Sequence, residues 1–374
     1  MSGRLDLMDL ARALDGDREA LERCLGADSD GALARRHRIA AALALEALER
    51  DLEGPALDPW RSRLRQVSAH HMMLDEALET TGRTLGEAGI RWLPIKGLDL
   101  ASRPGVYRRA EQRPTSDIDL LIASRDLGAA RRALEAGGWR PLQEGPRAER
   151  YLLEEGYAWQ ARLPRSVLIE VHFRLWGSVA EEASDALVGR AVADPELPSG
   201  GHRLTAADAF LLAATHLWLD PPPRRLGSLR DLTALGRGPG RESLAREVLE
   251  ASREADLQLP VLAAARAAHR LWPADACREA AQGLEGELRR SERRWLARQR
   301  DLFSAGHGEM TLARHLARRR TRHGLGRIVW RRLWAHPGIV EAATEPGAPW
   351  LRRRAEFQAR AWGFGTADRR TEGP

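Results

Sequence analysis

The sequence predicts an α+β fold in which a small mixed-sheet domain lies between N-terminal and C-terminal helical regions. Apolar residues recur at helical spacing up to about residue 88, short apolar runs then alternate with an amphipathic helix, and helical spacing returns after about residue 200. We therefore expect an N-terminal helical region at 1–88, an α/β core at 89–200, a C-terminal helical domain at 201–360 and a loose tail at 361–374.

The N-terminal region is expected to be helical because Ala, Leu, Glu and Arg dominate it, with apolar positions three and four residues apart. The clearest stretches are RHRIAAALALEALERDL and VSAHHMMLDEALETTGRTLGEAG. Between them, GPALDPW contains a glycine and two prolines and is expected to separate two helices.

The central region changes to strand patterns. IRWLPIKG is a short apolar strand that ends in a turn, LDLASR starts a helix, and SDIDLLIAS is a strand. RDLGAARRALEAGGW is an amphipathic helix that ends at two glycines. GYAWQARL and SVLIEVHFRLW are expected to form a hairpin through the turn PRS.

The C-terminal region begins with the helix TAADAFLLAATHLWL, where Thr205 and Asp208 form a capping-box-like start. His216 on this helix is interpreted as a hydrogen-bonded core or interface histidine, and a role in a cleft is the alternative. Three prolines at 221–223 interrupt the helical pattern, and further helices are expected to about residue 335.

Composition narrows the functional classes. The net charge of +6 is modest for 374 residues and does not by itself indicate nucleic-acid binding. Two distant cysteines, Cys24 and Cys277, argue against a disulfide framework and fit a reducing cytoplasm. We find no signal-peptide pattern, and the longest apolar runs are too short to span a bilayer, so we predict no membrane span.

Two carboxylates stand out in the strand SDIDLLIAS. Asp117 and Asp119 are two residues apart, so they project from one face of a strand, while Ile118, Leu120 and Ile122 face the other side. Adjacent like charges repel, and a divalent cation resolves the repulsion. Carboxylate oxygens suit Mg²⁺, which binds through a few carboxylates together with substrate phosphates and water.

Glu170 is a third candidate ligand because it is a charged residue in the apolar run SVLIEVHFRL, and His172 shares its face. If this strand pairs beside the one that carries Asp117 and Asp119, the three carboxylates form one site. Two Mg²⁺ ions held there can clamp the attacking and leaving oxygens of a phosphoryl displacement. His172 is expected to position the acceptor or to shuttle a proton.

Lys96 is the one lysine among 59 basic residues, and it lies in a Pro-Ile-Lys-Gly turn. A lysine is a compact, mobile point charge, whereas an arginine is a planar fork. We expect Lys96 to neutralise phosphate charge, and Gly97 to allow the backbone to approach a phosphate closely. Arg113 is a second candidate clamp, and Ser116 completes the predicted nucleotide-binding residues.

The ordered set resembles the nucleotidyltransferase superfamily typified by DNA polymerase β. It is more closely similar to an uncharacterised bacterial nucleotidyltransferase family with Lys-Gly, then Tyr, then Arg, then Asp-Ile-Asp-Leu-Leu. Here that pattern is PIKGLDLASRPGVYRRAEQRPTSDIDLLI, with Tyr107 and Arg113 at matching places. EVHFRLW resembles the acidic-x-His strand of that family, and the similarity covers roughly residues 30–240.

The resemblance implies transfer of a nucleoside monophosphate from a nucleoside triphosphate, such as ATP, with release of pyrophosphate. It implies two metal ions at Asp117, Asp119 and Glu170, and it leaves open whether the acceptor is a small molecule, a peptide or an RNA. Two alternatives remain. One is an inactive member that serves as a nucleotide sensor or a binding partner in a biosynthetic cluster. The other is an RNA-binding protein that uses the arginine-rich stretch from Arg289 to Trp334.

Overall fold

A computed structural model describes the greater part of the chain: residues 6–28, 31–54, 57–142, 144–145, 152–153, 157–163, 167–175, 181–219, 226–238 and 241–298. Within these residues a mixed sheet lies between two sets of helices, which confirms the α+β fold class. The tail at 361–374 and the arginine-rich stretch after residue 298 lie outside the described residues.

The helices before and within the sheet region are α1 Leu7–Leu14, α2 Arg18–Ala27, α3 Ala32–Arg36, α4 Ala40–Glu49, α5 Asp58–Glu87, α6 Lys96–Ser102, α7 Leu127–Ala136 and α8 Glu181–Arg190. The later helices are α9 Ala206–Leu219, α10 Leu226–Arg237, α11 Arg241–Glu254, α12 Gln258–Leu271, α13 Asp275–Glu285 and α14 Arg290–Arg298. The strands are β1 Trp92–Pro94, β2 Ile118–Ile122, β3 Arg140–Pro141, β4 Ala158–Arg162, β5 Leu168–His172, β6 Val192–Ala193 and β7 His202–Arg203.

The helix boundaries follow local signals. The predicted break between two N-terminal helices is confirmed, since α4 ends at Glu49 and α5 begins at Asp58, with a proline in its first turn. The Thr205 hydroxyl accepts a hydrogen bond from the Asp208 backbone N–H at 3.1 Å, as expected for the start of α9. None of the described helices is long and apolar enough to cross a bilayer.

The large sheet has the strand order β1-β2-β5-β4-β3. β2 pairs antiparallel with β1 and parallel with β5, while β4 pairs antiparallel with β5 as the predicted hairpin requires. The condition for a single site of three carboxylates, that the strand of Glu170 lies beside the strand of Asp119, is therefore met. β6 and β7 form a separate two-stranded sheet.

The sheet separates two hydrophobic cores. On one face, Ile118, Leu120 and Ile122 pack with the second half of α5 and with α7, as the alternation along β2 predicts. On the other face, Leu121 joins a core that also contains residues of α1, α2 and α4 and of α9 to α13. The N-terminal and C-terminal helices thus share one core, on the face of the sheet to which Asp119 points.

Candidate active site

The adjacent strands β2 and β5 bring acidic side chains together. Asp117 immediately precedes β2, and Asp119 is the second residue of the strand. Asp119 and Glu170 are direct register partners across the parallel pair. Asp117, Asp119 and Glu170 all line one cleft, and His172 lies two residues beyond Glu170 on the same face of β5.

Asp119, Glu170 and His172 form a compact group. The His172 Nε2 atom lies 2.9 Å from Asp119 Oδ1 and 3.4 Å from Glu170 Oε2. One ligand atom from each residue lies within 4.8 Å of the other two, a spacing at which a metal ion can be held. Asp117 lies outside this group but adds a carboxylate to the same cleft. The oxygen-rich donor set fits a divalent cation of the Mg²⁺ type.

The ammonium of Lys96 lies within this group. Its Nζ atom is 2.5 Å from Asp119 Oδ1, 3.1 Å from His172 Nε2 and 3.8 Å from Glu170 Oε2. The Lys96 side chain is 18% exposed, so one part of it still faces the cleft. The positive charge that the sequence places near the carboxylates is therefore in direct contact with one of them.

The backbone conformation at the start of α6 directs the Lys96 side chain toward the carboxylates. Lys96 has a φ of +58°, a left-handed conformation that costs free energy for a residue with a Cβ atom. The helix begins at Lys96, two residues earlier than the sequence indicated. A Cβ atom at Gly97 would lie 2.5 Å from Thr115 Oγ1, so the packing against Thr115 requires a glycine here.

Burial and neighbouring charges shift the pKa values of the titrating groups, in opposite directions for Asp119 and Lys96 and in the same direction for Asp117. Burial raises the pKa of Asp119, but the Lys96 ammonium and His172 outweigh burial and hold this pKa well below its usual range. Burial lowers the pKa of Lys96, but Asp119 more than offsets it and raises this pKa. Burial and the neighbouring Asp119 and Glu170 raise the pKa of Asp117. Asp119 and Lys96 are thus charged at neutral pH.

Two further side chains hold the group in place. Gln160 on β4 is the register partner of Glu170, and its Nε2 atom donates a hydrogen bond to Glu170 Oε1. The Tyr157 ring stacks on the His172 ring, with centroids 5.7 Å apart and planes inclined by 27°. Glu170 and His172 are therefore each oriented by a neighbour on the β4 side.

The cleft has a volume of about 240 Å³, and its opposite wall is helical. Arg38 follows α3, His216 lies on α9 and Ser228 lies on α10, and all three line the cleft. α9 also contributes a small apolar surface formed by Ala209, Leu212 and Ala213. The acidic side chains of the sheet thus face a helical wall that carries Arg38, His216 and a small apolar surface.

A buried ion pair connects the two walls. Arg113 Nε lies 2.6 Å from Asp231 Oδ1 and 2.8 Å from Asp231 Oδ2. The Tyr107 hydroxyl also donates to Asp231 Oδ1, at 2.7 Å. Asp231 belongs to α10, whereas Tyr107 and Arg113 lie between α6 and β2. The charge of Arg113, a predicted phosphate clamp, is therefore balanced within the protein.

A comparison with known protein families agrees with this geometry. The sequence profile of a family described as uncharacterised nucleotidyltransferases matches residues 31–273. The chain belongs to this family. The predicted resemblance is confirmed, and the match extends past residue 240 to include α11 and α12. A comparison with curated proteins found no match.

The sequence of this nucleotidyltransferase predicts most side chains of the sheet wall of the cleft, but few side chains of the helical wall. Lys96, Gly97 and Arg113 line the cleft, whereas Ser116 is exposed and donates to Asp117 Oδ1 at 3.1 Å. No sequence signal points to Arg38, and the structure places His216 in the lining of the cleft, which was the alternative interpretation of this residue. Tyr107 and Arg113 were found through the family pattern, but no local signal pointed to Asp231 as their partner.

Proposed function

We propose that the protein transfers a nucleoside monophosphate from a nucleoside triphosphate, ATP among them, to an acceptor with release of pyrophosphate. The acceptor nucleophile forms a bond to the α-phosphorus as the bond to the pyrophosphate oxygen breaks. The observation that carries the proposal is the direct pairing of Asp119 with Glu170 across β2 and β5, beside Asp117 in one cleft of a nucleotidyltransferase.

We assign Asp117, Asp119 and Glu170 as ligands of two Mg²⁺ ions. These three carboxylates would hold the metal, which would supply positive charge to neutralise the phosphates during transfer. His172 is only 3% exposed and contacts both Asp119 and Glu170, so its proposed role is to orient these carboxylates.

Lys96 and Arg38 are the proposed phosphate-binding residues. Arg38 has a φ of +57°, and its turn is fixed because the Gly227 N–H donates to the His37 carbonyl at 3.1 Å. The Arg38 side chain lines the cleft, and a planar guanidinium suits bidentate contacts with phosphate oxygens. Arg113 is instead proposed to fix α10 against the cleft, because Asp231 already pairs with it.

The proposed acceptor is a small molecule, a peptide or an RNA. The cytoplasm is the proposed compartment. Cys24 and Cys277 support it because both are free and buried, so neither forms a disulfide.

The test is calorimetry with ATP, GTP, CTP and UTP, each with and without Mg²⁺, on the wild-type protein and on Asp119→Asn. We expect metal-dependent binding of at least one nucleotide and a loss of about 100-fold or more in the variant, since changes to the partners of metal ligands alone cost 10–100-fold. Asp126→Asn is the matched control, because Asp126 follows β2 and does not line the cleft. Equal metal-dependent binding by wild type and Asp119→Asn would contradict the proposal. No binding at all would also contradict it and would favour an inactive member that serves as a binding partner.

A further inference from the structure

We propose that the Lys96 ammonium is a built-in counter-cation that occupies the metal position beside Asp119 until a metal–nucleotide complex enters. The site then takes up its metal together with the nucleotide and binds the free metal weakly. This inference rests on the proposed function, because it describes how the same carboxylates are filled.

The first step is the position of the ammonium. Lys96 Nζ lies within 3.8 Å of a ligand atom of each member of the compact group formed by Asp119, Glu170 and His172. Its nearest contact is Asp119 Oδ1, the same oxygen that faces His172 Nε2. The cation position between these side chains therefore already contains a positive charge.

The second step is that a metal and this ammonium exclude each other. Mg²⁺ binds carboxylate oxygens at about 2.0–2.1 Å and takes a near-ideal octahedral set of ligands. An ammonium at 2.5 Å from Asp119 Oδ1 fills the space on that side of the oxygen. The two cations also repel, and burial strengthens the repulsion because the local dielectric is low. A metal that binds Asp119 there must displace Lys96.

The third step is the choice of residue. Arginine occupies the other Lys or Arg positions of this chain, whereas position 96 is a lysine. An ammonium on a flexible four-carbon stem can move from a carboxylate to a nearby phosphate, whereas a guanidinium has a fixed planar fork. The left-handed backbone at Lys96, with its φ of +58°, directs this stem to the carboxylates.

The fourth step is the coupling. A metal that arrives alone leaves the displaced ammonium beside a new positive charge. A metal that arrives with a triphosphate brings an anion with which the ammonium can pair. Because linkage is reciprocal, nucleotide raises the affinity for metal by the same factor by which metal raises the affinity for nucleotide.

The first experiment measures Mn²⁺ binding in the absence of nucleotide, by electron paramagnetic resonance, for wild type, Lys96→Met and Lys96→Arg. We expect Lys96→Met to bind Mn²⁺ about tenfold more tightly than wild type, within the usual range of coupling between two ligands. Lys96→Arg keeps the charge and is expected to stay weak. Equal or weaker Mn²⁺ binding by Lys96→Met would overturn the inference.

The second experiment uses wild-type protein and does not depend on the folding of a variant. Because Lys96 is the sole lysine, protein grown on lysine labelled with ¹³C at Cε gives one side-chain resonance. We expect Mg²⁺ with a non-hydrolysable triphosphate to shift this resonance, and the same concentration of Mg²⁺ alone to leave it in place. A resonance that stays in place while calorimetry shows the complex bound overturns the inference alone. No metal or nucleotide binding in either experiment would overturn the proposed function as well.

Discussion

The two walls of the cleft differ in how the chain builds them. The sheet wall comes from two short strands, and its acidic side chains lie two residues apart in sequence or face each other in register. The helical wall collects Arg38, His216 and Ser228 from segments that are far apart in the chain. A local pattern therefore encodes the acidic wall, whereas the packing of distant helices decides which side chains face it across the cleft.

The two charged groups in the cleft also differ. Lys96 and Asp119 form a pair that is open to the cleft, with Lys96 18% exposed. Arg113 and Asp231 form a more deeply buried pair, 10% and 4% exposed, with Tyr107 as an additional partner. The first pair is placed where a ligand can rearrange it, and the second holds the walls together.

Asp231→Ala is expected to give the largest effect on stability. It leaves the Arg113 guanidinium buried without its partner, and breaking a buried pair in this way costs about 3–5 kcal/mol. Urea unfolding measures the change. Asp15→Ala is the matched control, because Asp15 pairs with Arg237 of the same helix α10 at an exposed site, 43% and 44% exposed. An exposed pair contributes about 0–1 kcal/mol, and equal losses in the two variants would refute the tie between the walls.

Arg38→Met is expected to give a smaller effect, confined to ligand binding. If Arg38 contacts the outer phosphates, the variant binds a nucleoside triphosphate with Mg²⁺ about tenfold more weakly, since a hydrogen bond to a charged group contributes about 1.5–3 kcal/mol. Binding of the matching monophosphate is expected to change little. Arg36→Met serves as the control because Arg36 is exposed and does not line the cleft. A loss of the same size for monophosphate and triphosphate would remove Arg38 from the phosphate site.

The buried thiols are expected to give the smallest effect. Cys24 on α2 and Cys277 on α13 lie in the core that the N-terminal and C-terminal helices share. Burial raises the pKa of each thiol to about 12. Iodoacetamide at pH 8 is therefore expected to leave both unmodified in the folded protein and to modify both in urea, as mass spectrometry can show.

The same thiols predict a pH dependence of stability. Because their folded pKa values lie above the unfolded value, the stability that they contribute is complete below about pH 8.5 and falls as the pH rises toward 12.

For the iodoacetamide experiment, alkylation of the folded protein at pH 8 at the rate seen in urea would show that the shared core opens easily.

The sheet wall was predictable because its signals are short in range. The spacing of Asp117 and Asp119 selects one strand face, and the apolar residues between and after them select the buried face. The placement of Glu170 was predictable once its strand was assumed to be a neighbour of β2. The assignment of Lys96 to phosphate followed from its chemistry, but the direct contact with Asp119 depends on a left-handed backbone that the sequence did not indicate.

The sequence by itself determined the fold class and the acidic face of β2, because strand alternation and helical spacing are properties of neighbouring positions. It indicated the family through the resemblance of the motif that runs from Lys96 to Asp119. Tertiary structure decided which distant side chains meet. The partnership of Arg113 with Asp231 spans 118 positions, and Arg38 lines the cleft where its turn contacts the start of α10 through the hydrogen bond from Gly227 to His37. Such contacts depend on the packing of whole helices, and no periodicity along the chain predicts them.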